Sequence, residues 1–427
     1  MKSFEVNVHH LTRVEGHGNI VVNVKEGRIE ELRLEIVESP RFFEMMLKGR
    51  RWDEAAAITA RICGICALGH TTASVLATEA ATGMVPDEET VLLRKLLVHG
   101  ETIQSHILHL YFLVAPDLLG VGSVIPLAET HPEVVKRALR LKKLANYMCD
   151  LLIGRKVHPI AYVPGGFTRW PEKKDFLTVH QALLDAREDL EATVELLAGI
   201  PMPDLTRETE YLALKDPKEY ALYTGDIAST LGQVSPPHTY RERIQEWVAP
   251  HSAAKHVKAQ KDAFAVGALA RFNVNHAMLR PWAKQVAERI GLRGPSHNPF
   301  HNNLAQLVEA VHCYEDAIEI AAELSRRSYR HERQKPVRFG RGVGATEVPR
   351  GTLYHDYTYD KDGYILEANC IIPTGQNLAN IEKDMEALVT KVIDKPQDEI
   401  RHSFEMLVRA YDPCISCATH FLDVRFV

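Results

Sequence analysis

The chain has 427 residues, 45% of them hydrophobic and 25% charged, enough to bury a large core. A net charge of −5 and an isoelectric point near 6.5 argue against nucleic acid or an anionic membrane surface as partner. Seven cysteines in a chain this long do not make a secreted disulfide scaffold. The opening MKSFEVNVHHLTRVEG lacks the apolar segment of a secretory signal and carries no twin-arginine motif, though a partner subunit could supply one. No stretch reads as a membrane span; Ile62–Thr78 is uncharged but contains Gly, His, Thr and Ser. Cytoplasm is the default expectation.

Residues 1–37 alternate apolar and polar, and Gly18–Lys25 and Arg28–Val37 flank Glu26-Gly27 as a predicted hairpin. Ahead of it lies Leu11–Gly18, charged and punctuated by glycine, which by itself reads as a surface turn. From Pro40 the pattern becomes helical, with two short amphipathic segments and then a helix over Cys66–Thr82 that stops at Gly83. Helical patterns follow over Glu88–Val114, Glu133–Ile153 and Glu172–Leu197, with a loop predicted over Pro116–Pro132 and a connection over Gly154–Pro171. Residues 200–250 are broken by prolines and read as an irregular excursion; helices are predicted again over 254–291 and 303–326. Arg326–Pro336 is basic and reads either as a solvated linker or as a patch facing a partner. Strands are expected over Thr346–Tyr359 and Gly363–Ile372, then helices over Asn377–Ile393 and Glu399–Ala410.

Two motifs near opposite ends carry the chemistry. Arg61-Ile62-Cys63-Gly64-Ile65-Cys66 is followed by His70, and Asp412-Pro413-Cys414-Ile415-Ser416-Cys417 by His420. Two C-x-x-C pairs supply four sulfurs for a metal. Zinc pairs usually sit close together on polar knuckles, whereas here one pair opens an Ala/Leu-rich helix and the other follows a core-like helix, which points to a buried site between helices. On spacing and flanks alone, structural zinc or iron–sulfur, a catalytic metal and dithiol redox chemistry all stay open. A helix N-terminus at Cys63 and Cys66 favours thiolate.

These motifs resemble the large, catalytic subunit of nickel–iron hydrogenases. RVEGHG (13–18), RFFE (41–44), Glu347-Val348-Pro349-Arg350-Gly351 and Pro373-Thr374 are similar to that family's other signatures, in the same order and across essentially the whole chain. The chain looks most like the cytoplasmic, multi-subunit class: sulfhydrogenase, coenzyme-F420-linked, NAD(P)-linked and electron-bifurcating types. The resemblance implies an α+β, mostly helical fold: a central bundle of long helices with small peripheral β-sheets. It further implies a single domain over 1–427: a hairpin region (1–37), a helical core with the first pair (38–200), an irregular excursion and helices (201–336), and a β region with C-terminal helices and the second pair (337–427).

It implies a nickel–iron centre, with Cys63 and Cys414 on nickel, Cys66 and Cys417 bridging to iron, and CO and two cyanides on the iron. Arg350 and Thr374, after Pro373, match donors to the cyanides, and His70 matches a histidine beside the bridging cysteine. Cys414 would serve as base in H2 splitting and Glu15 would take its proton; a carboxylate near neutral cysteines and away from bulk water suits that role. Arg350 ranks second as base because of its high basicity. Glu44, the backbone carbonyl of Cys370 and His420 match a distal Mg2+ site. Cys149 and Cys313 match nothing and read as packing residues.

Two departures stand out. Ser105 occupies a position that is Asp in many relatives, next to His106 in the canopy over the metals, while Asp412 keeps the other canopy carboxylate. Family precursors are cut just after the position of His420, but this sequence runs on from Phe421 to Val427, which reads as an unprocessed form or one that needs no cleavage. Cys149, Cys313 and Cys370 are isolated and cannot hold an iron–sulfur cluster, so an iron–sulfur small subunit is the expected partner, with further flavin or iron–sulfur subunits beyond it. The competing reading is a structural or proton-coupling subunit of a complex I-like redox assembly with a structural four-cysteine metal site.

Overall fold

The computed structural model describes residues 3–419. His420 and the segment Phe421–Val427 lie outside the described residues.

The N-terminal alternation builds a three-stranded antiparallel sheet of Phe4–Val8, Gly18–Lys25 and Arg28–Ile36, with the second strand in the middle. Phe4, Val6 and Val8 point inward and the residues between them outward. The predicted hairpin is the second and third strands.

Long helices form the centre. Glu88–Leu108 packs between Pro132–Ile153 and His301–Arg326, and Lys173–Asp185 lies against the last of these. Asp87 caps the first, its carboxylate accepting the Thr90 N–H. One cluster of buried apolar side chains runs from Phe4 to Ala418 and contains Cys63, Cys66, Cys414 and Cys417. Among the described residues, no helix is long and apolar enough to cross a membrane.

The helix that opens with the first cysteine pair, Ala67–Thr82, is buried on nearly every side. It lies on a three-stranded sheet of Arg341–Val348, Gly351–Tyr359 and Ile365–Ile371. Backbone meets backbone there: a Cβ on Gly344 would stand 2.1 Å from the Ala73 carbonyl oxygen and 2.5 Å from the Ala77 nitrogen. Small residues on the helix (Ala73, Ser74, Ala77) and glycine on the strand permit the approach.

Several elements differ from the sequence expectation. The loop expected over Pro116–Pro132 contains the short helices Ala115–Leu118 and Val124–Thr130. The long helix from Glu88 changes to a π turn over His109–Val114 instead of continuing as α. Helix Glu172–Leu197 is two helices, Lys173–Asp185 and Arg187–Ala198. Residues 254–267, expected helical, instead contribute the strands His256–Lys258 and Phe264–Ala265, which pair with Gln245–Trp247 and Glu210–Lys215. Tertiary pairing overrides a helical pattern there, and the helix starts only at Ala268, after Gly267.

Nor is Arg326–Pro336 a free linker. Arg327 pairs with Glu88 and Glu89, the Tyr329 hydroxyl bonds Asp87, and His331 stacks on Trp170 at 5.2 Å.

Gly344→Ala should push the sheet off the helix. Overpacking typically costs about 1–3 kcal/mol, so calorimetry should show a lower Tm; an unchanged Tm would mean the two layers separate freely.

Candidate metal centre

The first pair sits where a 3-10 turn, Ala60–Ile62, runs into extended Cys63, and Cys66 stands at the N-cap of Ala67–Thr82. The second pair follows helix Gln397–Ala410. Asp412 takes a left-handed conformation (φ 51°) and turns the chain so that Cys414 precedes the short helix Ile415–Ala418.

Two N-terminal segments hold these ends together. Glu15 and Cys414 form a parallel bridge, and Ile415 N–H donates to the Glu15 carbonyl at 2.9 Å. Gly16, at φ 87°, is required by contact: a Cβ there would lie 2.7 Å from Ile415 Cβ and 2.8 Å from the Ser416 nitrogen. RVEGHG is therefore part of the site, not the surface turn its composition suggested. Arg41 staples both pairs, donating from Nη2 to the Ile62 carbonyl at 2.6 Å and to the Ser416 carbonyl.

The four sulfurs lie within 4.8 Å of one another, all buried and none disulfide-bonded. Cys63 Sγ is 3.6 Å from Cys414 Sγ, Cys66 Sγ is 3.8 Å from Cys417 Sγ, and the Cys414 and Cys417 sulfurs are 2.7 Å apart. Hydrogen bonds from Cys414 and Cys417 hold the Cys63 thiol well below its usual range. Its sulfur also accepts the N–H groups of Ile65 and Cys66, both at 3.2 Å. Burial pushes the Cys414 and Cys417 thiols up. A metal entering this set must displace protons, as thiolate sites generally require.

The donor set fits a soft metal centre, and so does its surround. Arg350 is buried, with Nε on the Asp412 carbonyl and Nη2 on the Asp412 carboxylate, both at 2.8 Å. Among the described residues its Nη1 has no hydrogen-bond partner, while the Cys414, Cys66 and Cys63 sulfurs act on its charge. A buried cationic donor left unmet calls for an anionic acceptor. Thr374, behind Pro373 in the first turn of helix Pro373–Val392, accepts the Cys414 N–H on Oγ1 at 2.8 Å and keeps its own proton to donate.

Glu15 Oε2 lies 3.1 Å from Cys414 Sγ and accepts the Ser416 N–H at 3.1 Å. Carboxylate and sulfur are thus in direct contact. His70 is buried and meets His355 at 3.2 Å; His355 meets the Tyr357 hydroxyl at 2.6 Å, and that hydroxyl donates to Ser74 at 3.1 Å. Ser105 is fully buried, and among the described residues its hydroxyl has no partner. The neighbouring His106 turns to Glu309 at 2.9 Å.

Sequence reasoning missed several supporting residues. Glu101 caps the cysteine helix, accepting Leu68 N–H at 2.8 Å and Gly69 N–H at 2.9 Å. Burial pushes its carboxyl up to about 8, and the Cys63 sulfur adds to the effect. Gln306 donates to Asp412 Oδ2 at 3.1 Å and is itself met by His109 at 2.6 Å. Arg271 binds Glu309, Glu347 and the carbonyls of Val348 and Pro349, which fixes the turn that presents Arg350. A single carboxylate or glutamine on a long helix carries no spacing signal, and Glu101 shares its helix with Glu88, Glu89, Arg94 and Lys95, so nothing local marked it.

At the distal site, the Glu44 carboxylate accepts the backbone N–H of Cys370 at 2.9 Å. Burial raises the Glu44 carboxyl and also pushes the Cys370 thiol far up, so that sulfur is no ready ligand.

The comparisons agree with this geometry. The family model described as nickel-dependent hydrogenase matches residues 41–136 and 172–420. Sulfhydrogenase 1 subunit alpha of Pyrococcus furiosus is 36% identical over 420 residues, spanning 97% of each chain. The NAD-reducing hydrogenase HoxS subunit beta of Cupriavidus necator is 27% identical over 96% of this chain and 94% of its own. A crystal structure of an NAD+-reducing [NiFe]-hydrogenase in the H2-reduced state superposes with a TM-score of 0.87 at 26% identity, covering 98% of this chain and all of that one. The Ni-Fe-Se hydrogenase of D. vulgaris Hildenborough shares the fold at a TM-score of 0.78. With four buried sulfurs converging from its two ends, this chain belongs to the nickel-dependent hydrogenase family.

Proposed function

We propose that the chain is the catalytic subunit of a cytoplasmic nickel–iron hydrogenase that splits H2 reversibly into protons and electrons. One observation carries the reading: four reduced sulfurs within 4.8 Å, with a carboxylate oxygen 3.1 Å from one of them. Cys63, Cys66, Cys414 and Cys417 would together hold the nickel–iron centre. When bound, the centre supplies the Lewis acid that polarises H2 and takes up its electron pair.

The chain's own part is to receive and export the proton. Cys414 Sγ is the acceptor, and Glu15 Oε2, in contact with it, takes the proton on. Arg350 Nη1 and the Thr374 hydroxyl would meet the cyanides on iron, since both can donate inside a dry pocket. Arg350 itself is engaged by Asp412 and held protonated, so it serves as donor rather than base. Glu44, the Cys370 carbonyl and His420 would hold Mg2+.

Electrons must leave through another subunit. Among the described residues, the four site cysteines are the one cysteine group that could hold a metal. An iron–sulfur small subunit, with flavin or further iron–sulfur subunits beyond it, would provide the path and set the final acceptor.

Metal analysis of the purified complex should find nickel and iron near one each, and infrared spectra should show bands of CO and cyanide; zinc alone would fit the structural four-cysteine reading instead. Cys414→Ser should abolish H2 uptake. Glu15→Gln should cut H2/D2O proton exchange by about 10²-fold or more, the usual worth of a positioned acid–base group. Nickel and iron should stay in place in that variant; their loss would show that Glu15 builds the site rather than moving protons.

A further inference from the structure

Among the described residues, a second set of side chains places ligand atoms within 4.8 Å of one another: His251, His256 and Glu382. Three elements meet there. His256 opens the strand His256–Lys258, paired with Gln245–Trp247, and His251 lies in the turn before it. Glu382 belongs to helix Pro373–Val392. Strand Arg28–Ile36 arrives from a third side, its Leu34 N–H donating to Glu382 Oε1 at 3.0 Å.

His251 Nε2 stands 2.8 Å from Glu382 Oε1, and His256 Nε2 stands 3.9 Å from Glu382 Oε2. His256 is fully buried, and among the described residues neither of its ring nitrogens has a hydrogen-bond partner of good geometry. An imidazole stripped of water with both nitrogens unmet is costly, so the position asks for a ligand. Trp247 and His251 pack on the ring at 4.9 and 5.5 Å and fix its place. His251 and Glu382 remain 24% and 17% exposed, which leaves a way in from solvent.

We propose that His251, His256 and Glu382 bind a divalent transition-metal ion of the imidazole-preferring class, zinc or nickel, at a site separate from the cysteine centre. Two imidazoles and a carboxylate suit such ions and leave a position for water. Ligand atoms around a tetrahedral ion with bonds of ~2.0–2.1 Å lie about 3.3 Å apart; the observed 2.8 and 3.9 Å bracket that spacing. A purely structural His251–Glu382 pair explains the Leu34 contact but leaves His256 unmet. The ion would tie together the N-terminal sheet, the segment carrying Lys255 and Glu246, and the helix whose first turn holds Thr374 against Cys414. This site does not depend on the hydrogenase reading.

The test uses the protein purified with its cysteine centre filled, dialysed against a mild chelator, equilibrated with excess Zn2+ and desalted. Wild type should retain one zinc more than His256→Gln, and X-ray absorption should show that zinc with nitrogen and oxygen neighbours only. His251→Gln, at a partly exposed position, should lose the same zinc and decides the matter if His256→Gln does not fold. Equal zinc in wild type and variants, or a sulfur shell around the extra zinc, would overturn the site. Nickel and iron counts in the same samples report the cysteine centre independently.

Discussion

Four thiols held together in a dry interior are an unstable arrangement unless the protein forces it. Left to themselves, close sulfurs oxidise to disulfides or drift apart. Here two sulfurs come from each end of the chain, and each pair is pinned by backbone contacts rather than by its own side chains. Arg41 reaches a carbonyl in each pair, the Glu15 backbone bridges to Cys414, and Thr374 holds the Cys414 amide. The sulfurs are therefore placed by contacts to the backbone on either side of them.

Charge is managed the same way. Arg271, Glu309 and Glu347 are all buried, and the arginine pairs with both carboxylates. Against its burial, the Arg271 guanidinium holds the Glu309 carboxyl down at about 2. Buried ion pairs of this kind contribute little net stability, but breaking one is costly. Their use here is placement: Arg271 also binds the carbonyls just before Arg350, so the turn that aims Arg350 at the sulfurs cannot relax. Farther out, Arg409 on Asp117 and the Thr12 carbonyl ties the last long helix to the RVEGHG segment. Around the centre, Arg350 Nη1, the Ser105 hydroxyl, Arg41 Nε and His106 Nδ1 are buried without a hydrogen-bond partner among the described residues.

The helix under the first cysteine pair illustrates how packing and site depend on each other. Its burial needs glycine on the facing strand, and that strand runs into Glu347 and then Arg350. Its N-terminus is capped by Glu101 rather than by a local Ser or Asp, so the cap arrives from a helix distant in sequence. The positions of the thiols, the cap and the arginine turn are thereby set by one close contact between a helix and a sheet.

The amino-acid sequence by itself determined the cysteine pairs, the family they belong to, the hairpin, and most long helices, because each is written in local spacing or periodicity. It also marked Glu15, Arg350 and Thr374 through short motifs. Only the tertiary structure decided that RVEGHG packs under Cys414, that Arg41 staples both pairs, that Glu101 caps the cysteine helix, and that 254–267 forms strands instead of helix. Those outcomes come from contacts between residues far apart along the chain, where neighbours in space leave no trace in neighbours in sequence.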